Sequence, residues 1–277
     1  MNINSAGTVT PKIPLLQVNW PRSGPGNHDT LRDPLPPVTG QMTTLNLVPA
    51  DIRDTWEVHE WRNAAGVLKT AKPKEWDDVM GCLRAFRFNT EEVIVGGGNR
   101  SVLSIKFDKY LSDRGWKETQ FHTAIKVDEN VRESPTHKVD NYKNGVALEV
   151  EWNNKDPFYD RDLNNFRLLF ELRVVEVGLI VTRCAHLQDI FDKLGKGSSY
   201  GNSTTHMDKL LPRLEGGGGG GCPVLVFGMS NKLYDETLNV EQAKAYAKKV
   251  QEEAKKAKED AKKTKQAMTK PAKGLIL

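Results

Sequence analysis

The chain has 277 residues, of which 38% are hydrophobic and 27% are charged, a balance typical of a globular protein that buries a sizeable core. Its formal net charge of +4 and isoelectric point near 8.8 permit a polyanionic partner without requiring one. Three widely separated cysteines without CxxC spacing argue against a disulfide framework and against a zinc site. The chain start lacks secretory-signal features, and no stretch approaches the roughly 20 apolar residues of a membrane span. We therefore expect a soluble, cytoplasmic protein without a membrane segment.

The N-terminal part of the chain is rich in Pro, Gly, Ser, Asn and Thr, and its prolines interrupt any regular element. This composition predicts a flexible Pro/Gly-rich arm over residues 1–45. An arm that becomes ordered around a partner is the open alternative. The folded domain is predicted over residues 46–235, and a Lys/Ala-rich helical tail over residues 236–277.

The first half of the folded domain is predicted to contain both strands and helices. Pro73 suits the first turn of a helix, because its missing N–H would be unpaired there in any case. The glycines at 96–98 follow an apolar stretch but match no phosphate-loop spacing, so they indicate a turn. The predicted elements are a strand at 55–62, a helix at 73–86, a strand at 93–95, a helix at 101–115 and one or two strands at 116–128.

Three acidic residues, Asp140, Glu149 and Glu151, stand in and before an apolar run. Side chains alternate along a strand, so Glu149 and Glu151 share one face while their apolar neighbours fix the backbone. The dipeptide Asn144-Gly145 is a strong hairpin turn signal, which brings Asp140 back beside Glu149. Converging carboxylates suit Mg²⁺ or Mn²⁺. The sequence thus predicts a metal site on a hairpin, although solvated acids on an exposed strand have the same spacing.

After the hairpin, the predicted order continues with a helix and a strand, which indicates a mixed α/β (α+β) fold. The β-branched run at 174–181 is typical of a buried central strand. The glycines at 216–221 predict a flexible spacer. The remaining predicted elements are an amphipathic helix from residue 160, a helix at 184–194, a polar loop at 196–206, a short helix at 207–214 and a buried strand at 222–228.

The C-terminal segment is a predicted Lys/Ala/Glu helix over residues 240–270. From residue 236 to 277 the chain has 11 Lys and 6 Asp or Glu, and large apolar residues are scarce. Such a helix buries no face of its own, so a solvated tail is the simplest interpretation. Attraction to a phosphate backbone and contact with a protein are the alternatives.

These residues together resemble type II restriction endonucleases of the BglII/BstYI/BamHI group, within the PD-(D/E)XK nuclease superfamily. The resemblance is carried by Asp140 and by Gly-Val-Ala-Leu-Glu-Val-Glu-Trp at 145–152, in which Glu149 stands nine residues after Asp140. It extends to the segments at 107–118, 177–180 and 223–228, and covers about residues 55 to 230. Many members of the superfamily have Lys where this chain has Glu151, whereas this group tolerates Gln or Glu.

The resemblance implies a PD-(D/E)XK restriction-endonuclease-like core, with a central mixed β-sheet flanked by helices. It also implies a homodimer that uses Mg²⁺ to cleave both strands of a palindromic, GATC-centred site in double-stranded DNA, within a restriction-modification system. Members of the group leave four-base 5′ overhangs. By this resemblance Asp140, Glu149 and Glu151 are catalytic, and the metal ligands are Asp140, Glu149, Val150 through its carbonyl, and Glu151.

The DNA-contacting residues are predicted from residue type and position. Hydroxyl and amide side chains are the groups that contact base edges and phosphates, and lysines contact phosphates. Two other functions stay open on sequence alone, a structure-selective repair or junction nuclease and a non-catalytic DNA-binding protein. The predicted DNA-binding residues are Lys143, Lys155, Ser198, Ser199, Tyr200, Asn202 and Ser203.

Overall fold

The computed structural model describes residues 43–95, 101–155, 157–201 and 203–268. The predicted arm falls almost entirely, and the glycines at 96–98 entirely, outside the described residues. Within those ranges the α-helices are α1 (Ala50–Arg53), α2 (Ala64–Ala71), α3 (Pro73–Ala85), α4 (Thr90–Val95), α5 (Val102–Ser112), α6 (Pro157–Glu171), α7 (Gln188–Lys193), α8 (Met207–Glu215) and α9 (Val240–Met268). The strands are β1 (Trp56–Trp61), β2 (Phe88–Asn89), β3 (Lys117–Thr119), β4 (His122–Val127), β5 (Asn130–Pro135), β6 (Val139–Lys143), β7 (Val146–Glu151), β8 (Val177–Arg183), β9 (Val224–Met229) and β10 (Tyr234–Asp235).

A six-stranded mixed sheet organises the molecule, in the order β1-β9-β8-β7-β6-β3. Strands β7, β8 and β9 run parallel, and the remaining neighbours are antiparallel. Both β8 and β9 are buried along their whole length, as expected of β-branched strands covered on two faces. The predicted fold class, a mixed sheet flanked by helices, is confirmed.

The two faces of the sheet carry separate apolar cores. On β7, Val146, Leu148 and Val150 belong to the larger core, which also includes residues of α2, α3 and α5. Ala147 belongs to the second core, which includes residues of α6 and α8. Because side chains alternate along a strand, Glu149 and Glu151 lie on the same face as Ala147, beneath α6.

The turn between β6 and β7 forms as its sequence predicts. Asn144 and Gly145 have φ values of 45° and 83°, the two positive angles required by a two-residue type I′ turn. Strands β6 and β7 then pair antiparallel, with Asn141 opposite Leu148. The predicted hairpin is therefore present, and it sets Asp140 beside the end of β7.

Some local predictions differ from the structure. Residues 93–95, predicted as a strand, end helix α4, because Val93 and Ile94 pack inward and a short apolar run does not distinguish strand from helix. The glycines at 216–221, predicted as a flexible spacer, form hydrogen-bonded turns. Strand β5, which pairs with β4 in a separate two-stranded sheet, was not predicted.

Helix α9 is not solvated along its whole length. Ala243 is buried, and Tyr246 and Ala247 pack against the larger core. The lysine-rich part begins only after these docked turns.

Among the described residues, no helix combines the length and apolar character that a membrane crossing requires. All three cysteines are buried and unbridged.

A close approach at Gly178 fixes α6 against the sheet. A Cβ at Gly178 would lie 2.4 Å from Cδ2 of Phe166, a separation that no packed side chain tolerates. We expect Gly178→Ala to lower the free energy of unfolding by about 1–3 kcal/mol, because overpacking a buried site forces neighbours out of position. Urea denaturation measures this loss. Combining Gly178→Ala with Phe166→Leu should destabilise less than the sum of the single changes; strict additivity would contradict the steric explanation.

Candidate active site

The hairpin brings the side chains of Asp140 and Glu149 within hydrogen-bonding range of backbone N–H groups on each other's strand. The backbone N–H of Asp140 donates to Oε2 of Glu149 at 3.3 Å, and the N–H of Val150 donates to Oδ2 of Asp140 at 3.4 Å. Glu149 is only 1% exposed, and its second oxygen, Oε1, is buried without a hydrogen-bond partner. The structure thus places these two predicted acids side by side.

Glu151 lies at the end of β7 on the same face and is also 1% exposed. Its Oε2 accepts a hydrogen bond of 2.7 Å from Nδ2 of Asn154, and its Oε1 lies 3.4 Å from Nη2 of Arg161. Asn154 and Arg161 come from the loop and the helix that follow the strand. Glu151 is therefore held from two directions, and all three predicted catalytic acids lie in one region.

Asp162 of α6 joins this cluster, although sequence reasoning did not select it. It is 0% exposed, and its Oδ1 accepts bonds of 2.9 and 2.7 Å from Nε and Nη2 of Arg161. A signal for it was present in the sequence. Asp162 falls on the stripe of α6 that otherwise carries buried apolar residues such as Tyr159, Leu163 and Phe166, and a carboxylate in such a position calls for a functional explanation.

The electrostatics of the cluster favour protonated acids. Burial, and then the neighbouring charges of Asp162 and Asp140, raise the pKa of Glu149 well above its usual range. Burial and the charge of Asp162 raise the pKa of Glu151 to about 9. Burial also raises the pKa of Asp162, to about 6, against the opposing effect of Arg161. Raised pKa values on several neighbouring carboxyl groups are typical of a functional site that binds a positive charge.

The donor set fits a hard divalent cation. Where the structure describes the chain, no three acidic, His or Cys side chains already converge as a metal site, since hydrogen bonds to backbone and to Arg161 hold these acids in other directions. Yet Oε1 of Glu149 and Oδ2 of Asp162 are buried without partners, at a cost of about 1–3 kcal/mol each. Carboxylate oxygens with excess negative charge are the ligands that Mg²⁺ and Mn²⁺ prefer.

The two predicted lysines differ in position. Lys143 lies on the sheet face opposite Asp140, because it is three residues further along β6, and its Nζ is 2.7 Å from Oδ2 of Asp78. This ion pair directs Lys143 toward α3 and away from the acidic cluster. Lys155 is exposed, forms a β-bridge with Thr204 and takes part in no ion pair among the described residues.

The polar loop at 196–206 is anchored directly beside the acids. Nη2 of Arg183, at the end of β8, donates to the carbonyl of Tyr200 at 2.6 Å and to Oγ1 of Thr204 at 3.0 Å. The N–H of Thr205 donates to the carbonyl of Asn154, whose own N–H donates back to Oγ1 of Thr205. The loop therefore keeps a fixed position relative to Glu151.

The loop residues proposed to contact DNA divide into two groups. Tyr200 requires a correction, because it is only 2% exposed, stacks on Phe191 and donates its hydroxyl to the carbonyl of Val93. Its side chain anchors the loop and is not accessible to DNA. Asn202 lies outside the described residues. Ser198, Ser199 and Ser203 are exposed on the loop.

Comparison with known proteins gives one assignment. The family model for restriction endonuclease BglII/BglIII matches residues 56–229. The match begins at β1 and ends at β9, so it contains the whole six-stranded sheet, the acidic cluster and the anchored loop. A search of curated proteins found no match.

Proposed function

Because the chain belongs to the BglII/BglIII restriction endonuclease family, a family of type II site-specific nucleases, we propose that it uses Mg²⁺ to hydrolyse both strands of a short palindromic DNA site. The observation that carries this proposal is the cluster of buried carboxylates at the end of the β6–β7 hairpin, inside the family match. The fold alone does not require these buried acids, because unpaired buried carboxylates destabilise it.

We assign the cation ligands to Asp140, Glu149 and the carbonyl of Val150. These groups lie next to one another at the end of the hairpin, and one oxygen of Glu149 has no other partner. A bound Mg²⁺ supplies charge neutralisation at the scissile phosphate and lowers the pKa of a bound water. The hairpin itself contributes a rigid backbone, so the ligands need not be ordered when DNA binds.

Glu151 is assigned to the attacking water. Asn154 fixes one carboxylate oxygen of Glu151, and the other lies 3.4 Å from Nη2 of Arg161. In the ionised state this carboxylate accepts a proton from the water that adds to phosphorus, while the bond from phosphorus to the leaving oxygen breaks and that oxygen takes up a proton from solvent. A Lys at this position would supply a positive charge. Because Glu stands there, the positive charge at this site has to come from other groups.

The substrate follows from the group that this sequence resembles. We propose a GATC-centred site cut to leave four-base 5′ overhangs, a homodimer whose two-fold axis coincides with that of the site, and a place in a restriction-modification system. A nuclease directed at invading DNA acts where that DNA enters, so we place it in the cytoplasm. The exposed serines at 198, 199 and 203, with Lys155, are the proposed DNA contacts in the described loops.

Digestion of a sequenced plasmid tests the proposal. Purified protein should give discrete fragments only when Mg²⁺ is present, and sequencing of their ends gives the recognition site and cut position. Fragments from branched or mismatched DNA alone would instead indicate a structure-selective nuclease. An intact plasmid under all divalent-ion conditions, together with DNA binding, would indicate a non-catalytic DNA-binding protein.

The two lysines provide a matched test of the DNA surface. We expect Lys155→Gln to weaken DNA binding for all sequences and to reduce the salt dependence of log K by about one unit, because one phosphate contact is lost. Lys143→Gln should leave the salt dependence unchanged, because that lysine is paired with Asp78. Fluorescence anisotropy across a salt series measures both. Equal salt slopes for wild type and Lys155→Gln would remove Lys155 from the DNA surface.

We also propose that the C-terminal part of α9 attracts DNA without sequence preference. After Gln251 the chain carries eight Lys and four Asp or Glu. Truncation after Gln251 keeps the docked turns at Ala243 and Tyr246, and we expect it to weaken non-specific binding and flatten its salt dependence while leaving thermal stability near the wild-type value. An unchanged salt slope would assign this segment another role.

A further inference from the structure

The acidic cluster contains a cation of its own. Arg161 is the partner in the ion pairs that Glu151 and Asp162 make among the described residues, and its guanidinium also lies 4.1 Å from the centre of the Phe158 ring. Both of its contacts to Asp162 are made to the same oxygen, Oδ1. One guanidinium thus stands against four carboxylates, those of Asp140, Glu149, Glu151 and Asp162.

The neutralisation by Arg161 is incomplete. Oδ2 of Asp162 and Oε1 of Glu149 come from different elements, α6 and β7, and both are buried without a hydrogen-bond partner. Their parent side chains are 0% and 1% exposed. A group that is positively charged and accepts oxygen ligands satisfies both oxygens, whereas apolar packing satisfies neither.

Arg161 is better placed to leave than the acids that it contacts. Its two bonds to Oδ1 of Asp162 are short, but its side chain is 30% exposed and its bond to Oε1 of Glu151 is long, at 3.4 Å. Asp162, by contrast, is fixed, because it stands one turn before Phe166, whose ring packs directly on Gly178 of β8. The carboxylate therefore stays in place while the guanidinium can rotate toward solvent.

We propose that Asp162 is a further carboxylate ligand of the cation site, and that Arg161, which bridges Asp162 and Glu151, covers this ligand until a divalent ion displaces the guanidinium. This inference rests on the proposed function, since it concerns the same site. It adds a ligand from helix α6 to those of the hairpin. It also explains why no ready-made metal geometry is found among the described side chains: the guanidinium holds Glu151 and Asp162 in a metal-free arrangement.

The test is Mn²⁺ binding to the full-length protein without DNA, measured by electron paramagnetic resonance and by the Mn²⁺-induced rise in melting temperature. We expect Asp162→Asn to weaken Mn²⁺ binding by about 10-fold or more. Asp160→Asn is the matched control, because Asp160 lies on the same helix with its side chain 62% exposed and pairs with Arg213; it should bind as wild type does.

Arg161→Gln provides the second variant, which decides the matter if Asp162→Asn does not fold. Removing the competing guanidinium should tighten Mn²⁺ binding several-fold, whereas Arg167→Gln, an exposed change on the same helix, should not. Wild-type affinity in Asp162→Asn would overturn the ligand role, and weaker or unchanged affinity in Arg161→Gln would overturn the displacement. If those results accompany Mg²⁺-dependent plasmid cleavage, only this inference fails. A wild type that neither binds Mn²⁺ nor cuts DNA would overturn the proposed function as well.

Discussion

Glu149→Gln should abolish DNA cleavage and leave DNA binding intact or stronger. The substitution keeps the size of the side chain but removes a negative charge from the proposed ligand set, so we expect the cleavage rate to fall by on the order of 10³-fold or more, as it does when a central group is removed from other hydrolases. Binding should persist or strengthen, because the substitution removes a negative charge that repels phosphate. Single-turnover cleavage and gel-shift titration measure the two effects separately.

The control for this experiment is Glu118→Gln. Glu118 lies on edge strand β3 with its side chain half exposed, and it pairs with Lys138. Its loss should change neither cleavage nor affinity by more than a small factor, because surface ion pairs contribute little. A Glu149→Gln protein that cuts at the wild-type rate would show that the chemistry takes place elsewhere.

Glu151→Gln should make the metal-free protein more stable at alkaline pH. The folded-state pKa of Glu151, about 9, lies above the ordinary value near 4.5, so the folded state binds a proton more tightly than the unfolded state does. Such a group costs nothing below about pH 4.5, and it lowers the free energy of unfolding progressively as the pH rises toward 9. Gln removes this penalty. We expect a gain of up to a few kcal/mol at pH 8 and of less than about 1 kcal/mol at pH 5.

Thermal melts at both pH values, with a chelator and then with Mg²⁺, test this directly. Mg²⁺ should stabilise the wild type, because a ligand that binds only the folded state shifts the equilibrium toward it, and should stabilise Glu151→Gln less. Asp160→Asn is again the appropriate control, since its carboxylate is exposed. A Glu151→Gln protein that is less stable than wild type at pH 8 without metal would show that the carboxylate has a structural role.

Stability and function conflict at Glu149 and Glu151. Glu149 and Glu151 are buried acids on a strand whose other residues fill two apolar cores. Their burial weakens the fold, and the proposed cation relieves that cost while using the same charges for hydrolysis. The buried acids that weaken the fold are therefore the acids that we assign to chemistry.

The hairpin and its acids were determined by the sequence alone. The alternation of Glu149 and Glu151 with apolar residues and the Asn144-Gly145 turn are local features, whose backbone requirements do not depend on the rest of the chain. Strand alternation also places Lys143 on the sheet face opposite Asp140. The helices at 73–86 and 101–115 followed from helical periodicity in the same way, and α3 and α5 confirm them within a few residues.

Only the tertiary structure decided which helical and loop residues meet the hairpin. Asp162 joins the cluster because Gly178 lets Phe166 approach the sheet, a contact between residues twelve positions apart that no local pattern encodes. Tyr200 is buried because Trp152, Phe191 and Val93 surround it, and burial of an aromatic side chain is a collective property of the packed core. Local backbone chemistry thus set the positions of Asp140, Glu149 and Glu151, whereas long-range packing determined the surroundings that give these acids their charge balance.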